Sequence, residues 1–128
     1  MEYQKWLIEI RPEIIIKSTD FSLTEQFQNL TIRPILKLLN NSIIAFSKSF
    51  LASLEITFKN KTANEIESLI SNLFNKHPTF KIYLIGMIIS YLTKEELSIY
   101  LDYRKEINKR IYILLHERLR SQISLLVS

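Results

Sequence analysis

The chain has 128 residues and a net charge of +4; 47% of its residues are hydrophobic and 23% charged, the balance of one ordinary globular domain rather than a disordered segment. It contains no cysteine, one glycine and three prolines, which excludes disulfides, thiolate nucleophiles and Cys-ligated metals and leaves little equipment for P-loops, dinucleotide-binding turns or β-hairpins. The positive excess is small and mixed with acids, so it permits an acidic partner without specifying one.

Residues 1–11 carry Glu2 and Glu9 within their apolar stretch and have no basic start followed by a long apolar run. A cleaved leader is not expected, and the default location is cytoplasmic. Residues 1–21 show no clean period, and Glu9-Ile10-Arg11-Pro12-Glu13-Ile14-Ile15-Ile16 reads as an extended N-terminal arm preceding a helical domain at 22–128.

Ser22 with Glu25, Thr62 with Glu65 and Thr93 with Glu96 form Ser/Thr-x-x-Glu signals, each ahead of a segment with helical apolar spacing. In such a box the hydroxyl accepts from an early backbone N–H while the Glu carboxylate accepts from the N–H of the capping residue. The first segment, residues 23–58, has an apolar stripe running from Phe27 through Ile32, Leu36 and Leu39 to Phe58, interrupted by Pro34. A proline there removes one hydrogen bond and crowds the carbonyl of Leu30, which predicts a kink or two helices joined near 31–33, with residues 33–58 continuing as one helix of about 40 Å. Residues 63–75 place Ile66, Leu69, Ile70, Leu73 and Phe74 on one face. Residues 80–92 are apolar nearly all round, which predicts the most buried helix, with Gly86 admitting a neighbouring helix at close range. The uncharged run at 82–93 is shorter than the roughly 20 residues of a membrane span. Residues 94–125 predict a last helix with a stripe of Leu97, Leu101, Ile107, Ile111, Leu115, Leu119 and Ile123.

Chemistry-bearing patterns are sparse. The residues three before His77 and His116 are Phe74 and Ile113, so the Glu-x-x-His pattern of helical di-iron sites is absent, and no metal or cofactor is expected. There is no G-x-S-x-G elbow, and the acids Glu65, Glu67, Glu95 and Glu96 lie where they complement helix dipoles. The last segment presents a candidate basic face of Arg104, Lys105 and Lys109 near Tyr100, Tyr103 and Tyr112, although Glu106 with Arg110 forms an i, i+4 pair within it. Gln28, Asn29, Thr31 and Arg33 make a polar cluster beside Pro34. They suggest either a satisfied internal network or a ligand or partner site, with Asn108 and Arg110 of the last helix as further members.

Phe27-Gln28-Asn29-Leu30-Thr31-Ile32-Arg33-Pro34-Ile35-Leu36-Lys37-Leu38 resembles the signature of a family of short bacterial helical proteins of unknown function. Gly86-Met87-Ile88-Ile89, Leu92-Thr93-Lys94-Glu95-Glu96, Asn108-Lys109-Arg110-Ile111 and Arg118-Leu119 extend the likeness across residues 20–122. The resemblance implies an intracellular all-helical protein without an established activity. Members of that family often carry the name glyoxalase; the metal-dependent glyoxalases are paired βαβββ modules with His and Glu ligands, and this chain has neither strand periodicity nor enough histidines for that chemistry.

The fold predicted is all-α, an irregular antiparallel bundle of four to five helices with an extended N-terminal arm. The function expected is a non-catalytic interaction or scaffold protein that self-associates, because Ile99, Tyr103, Ile113, Leu114, Leu125, Leu126 and Val127 lie outside the main stripe. The alternatives are a nucleic-acid-associated regulator using the basic face and a small-molecule binder near Arg33. Far-ultraviolet circular dichroism should show a helical spectrum; a sheet-dominated spectrum would overturn the periodicity on which these expectations rest.

Overall fold

Every regular element in the computed structural model, which describes residues 2–14 and 22–127, is helical. In chain order these are α1 (Glu2–Glu9), α2 (Leu23–Phe27), a π-helical turn (Gln28–Ile32), α3 (Arg33–Leu38), α4 (Asn40–Ser53), α5 (Ala63–Lys76), α6 (Pro78–Ile89), α7 (Lys94–Asp102), α8 (Arg104–Ser121) and α9 (Ile123–Val127). The chain divides into two compact units: Met1–Asn40 with Ile85–Ile111, and Asn41–Leu84 with Tyr112–Ser128.

In the first unit, the expectation of an extended N-terminal arm is corrected for Glu2–Glu9, which is α1. An eight-residue helix is too short to stand on propensity and forms only against a neighbour. Just one of its large apolar residues, Leu7, is fully buried, so no period was visible. Arg11, which precedes Pro12, is restricted away from helical backbone, and residues 11–14 follow without regular structure. The rest of the expected arm, residues 15–21, lies outside the described residues.

Pro34 is accommodated by a wider turn rather than by a break. The Arg33 amide donates to the Gln28 carbonyl, five residues back, and Pro34 then sits in the first turn of α3, where its missing N–H removes no bond. The single helix expected over 33–58 is also corrected. It divides at Leu39, whose φ of −91° and ψ of 5° leave the helical region, and α4 ends at Ser53. Beyond Ser53, the Glu55 amide donates to the Ala52 carbonyl and the Ile56 amide to the Leu51 carbonyl, while Glu55 takes a φ of 57°. That is a Schellman stop with a glutamate in the left-handed position that glycine usually fills, so the sequence carried no glycine signal for it.

The second unit is organised around Phe80, which is fully buried at the start of α6. Its ring lies 6.0 Å from Phe46 and 5.1 Å from Phe50, both on α4, and 5.3 Å from Phe74 on α5. Aromatic pairs at such separations add to the burial they already provide. The capping box of α5 is complete, with Glu65 N–H donating to Thr62 Oγ1 at 3.2 Å and Thr62 N–H to Glu65 Oε1 at 3.0 Å. Ile66, Ile70, Leu73 and Phe74 then form the buried face that the spacing predicts.

Two expectations for later helices are corrected. The α6 helix is not the most buried one, since Ile82 and Tyr83 are 69% and 57% exposed, and Gly86 is exposed with nothing near where a Cβ would stand. An apolar helix need not be covered all round, and no close approach explains its glycine. The last segment is not continuous either: Tyr103, at φ −122° and ψ 29°, separates α7 from α8. That break shifts the phase of the stripe, leaving Leu97 and Leu101 exposed while Tyr100, Ile107 and Ile111 are buried.

Gly86→Ala should raise stability by about 0.5–1 kcal/mol, the helix-propensity gain unopposed by a clash, and urea unfolding reads it directly. Glu55→Gly should be neutral to stabilising, because it relieves the left-handed φ at the α4 stop.

Candidate functional site

The polar cluster beside Pro34 is real, and its members bind mainly one another. The π-helical turn carries Gln28 and Asn29, α2 supplies Thr24 and Glu25, and the first half of α8 supplies Glu106 and Arg110. Arg110 Nη1 forms an ion pair with Glu25 Oε2 and donates to Gln28 Oε1 at 3.0 Å, while Nη2 reaches Glu106 Oε1 at 3.4 Å. Thr24, which is buried, donates to that same Glu106 oxygen at 2.8 Å. Asn29 donates to Glu25 Oε1 at 3.3 Å and accepts from Arg33 Nε at 2.9 Å, one helical turn away. Of the six residues that the sequence singles out, the structure thus joins Gln28 to Arg110 and Asn29 to Arg33, while Thr31 donates to Glu96 instead. Asn108 stands elsewhere, accepting from the Tyr100 hydroxyl at 2.6 Å. Glu25 is the member that periodicity misses: as part of a capping signal it reads as a dipole acid, yet its carboxylate joins the two halves of the network.

A second network, absent from the sequence reading, lies at the start of α7. Glu96 completes the α7 capping box, accepting from Thr93 N–H at 2.8 Å, and takes two further bonds from Arg11 at 2.7 Å each. Thr31 Oγ1 donates to Glu96 Oε2 at 3.2 Å, and Arg11 Nη2 donates to the Tyr91 carbonyl at 2.8 Å. The Arg11 and Glu96 side chains are only 7% and 15% exposed, which makes this a forked, largely desolvated ion pair. Burial pushes the Glu96 carboxyl up, but Arg11, the Thr93 amide and Thr31 together hold it below its ordinary value. In the sequence Arg11 stands only as part of the expected arm, with nothing to mark Glu96 as its partner.

In the second unit, His116 Nε2 lies 2.9 Å from Glu67 Oε1, and its ring stacks on Phe74 at 5.6 Å. Arg120 approaches the same carboxylate oxygen at 3.7 Å. Both His116 and Glu67 keep partial exposure, and no local spacing rule pairs residues 49 positions apart. Among the described residues no group of three or more His, Cys, Asp or Glu side chains is placed to hold a metal ion.

The candidate basic face separates cleanly from the polar cluster. Arg104, Lys105 and Lys109 are all exposed on α8, and no ion pair joins them to another described residue. Arg110, four residues after Glu106, is drawn into the network instead. Of the residues expected to lie outside the main stripe, Ile113, Tyr103 and Leu125 are exposed, whereas Leu114 on α8 and Leu126 on α9 are buried, which corrects the expectation for those two.

No family model, curated protein or solved structure that was compared with the chain matches it.

Glu96→Ala should cost about 3 kcal/mol, because it leaves the Arg11 guanidinium buried without its partner and removes one half of the α7 cap. The pH dependence has a definite sign. The Glu96 carboxyl is lowered in the folded chain, so its contribution is complete above pH 4.5 and is lost as pH falls through the depressed value. The stability difference between the wild type and Glu96→Gln should therefore be constant near neutrality and shrink below pH 4.5, measured by urea unfolding across that range.

Proposed function

We propose that this chain is a non-catalytic interaction protein that self-associates. The observation that carries the reading is the contrast between its polar and apolar groups. Its prominent polar side chains are used internally, in the Glu25–Arg110 and Arg11–Glu96 networks. Large apolar side chains are instead left to solvent on several helices: Tyr3, Trp6 and Ile8 on α1, Leu101 on α7, Ile82 and Tyr83 on α6, and Ile113 on α8 are all at least half exposed. Single exposed apolar residues are ordinary, but Tyr3, Trp6 and Ile8 exposed on one short helix, and Ile82 beside Tyr83 on another, favour association with another protein surface. A cytoplasmic setting, a scaffold in the form of an irregular antiparallel bundle of four to five helices, and kinship with the short bacterial helical proteins belong to the same proposal. No helix among the described residues is long and apolar enough to cross a membrane.

A second reading, a nucleic-acid-associated regulator, has one observation in its favour. Arg104, Lys105 and Lys109 are exposed without ion-pair partners among the described residues, beside the half-exposed Tyr103, which suits phosphate contact with base stacking. The Arg33 cluster supports a small-molecule binder less well, because Asn29 is used between Glu25 and Arg33.

Light scattering over a wide range of protein concentration should show mass rising above 15.2 kDa. Trp6→Ser combined with Ile82→Ser should suppress that rise at least tenfold in apparent affinity while the circular dichroism spectrum stays helical. A clean monomer at every concentration would remove the leading reading. Binding to single-stranded oligonucleotides that weakens steeply with salt, and is lost in a Lys105→Glu, Lys109→Glu variant, would favour the second.

A further inference from the structure

We draw no further inference here: the strongest candidate, the apolar surface patch of the second unit where Phe46 of α4 stands 5.3 Å from the exposed Tyr83 of α6 and 5.9 Å from Phe50, is an unpartnered face, and nothing in the structure shows what covers it.

Discussion

The Glu96 carboxylate serves several donors with two oxygens. It closes the α7 capping box through the Thr93 amide, receives the forked guanidinium of Arg11, and accepts from Thr31 of the π-helical turn. Each donor comes from a different stretch of the first unit, so one side chain ties the start of α7, the arm and the turn before Pro34 to a single point. The cost of placing a charge there is met by the number and quality of its bonds, which is why the carboxyl titrates below its ordinary range despite burial. Take away either ion and the other is left in a poorly solvated place. The arm and the α7 cap are thus coupled, and loss of one weakens the other.

Around that point the backbone makes two unusual accommodations. The π-helical turn absorbs Pro34 by lengthening one hydrogen-bonded loop to five residues, which also brings Gln28 within reach of Arg110 and Thr31 within reach of Glu96. Wide turns of this kind often occur where side chains are being re-aimed. Glu55 meanwhile closes α4 in a conformation better suited to glycine, while the chain's one glycine occupies an open helical position that alanine would fill at no steric cost. Neither placement maximises stability. Natural chains tolerate such features as long as they remain above the threshold for folding.

The surface divides in a way that bears on function. Polar groups that could have built a binding pocket are drawn inward, as Glu25, Asn29, Gln28 and Arg110 are drawn to each other. Tyr3, Trp6 and Ile8 of α1 and Ile82 and Tyr83 of α6 are left outside. Arg104 and Lys105, which no ion pair joins to another described residue, mark a second, electrostatic feature, since they lie in the first turn of α8, the positive end of the helix dipole, where cations are disfavoured.

The sequence by itself determined that the chain is helical, where α5 and α7 begin, and which face of α5 is buried. Those properties depend on local rules: a hydroxyl three residues before a glutamate, and apolar residues recurring once per turn. It also marked the cluster beside Pro34 as polar and Glu106 with Arg110 as a pair. Only the tertiary structure decided that Arg11 meets Glu96, 85 positions away, that Glu25 reaches Arg110 across an equal separation, and that His116 finds Glu67. Periodicity cannot see such partners, because it reports which way a side chain faces and not what stands opposite. It failed too at Leu39, Glu55 and Tyr103, where a single residue leaves the helical region without a glycine or proline to announce it. Because Tyr103 separates α7 from α8, the two helices do not share one stripe: Tyr100 is the buried residue of α7, with Leu97 and Leu101 exposed, while α8 buries Ile107, Ile111, Leu115 and Leu119.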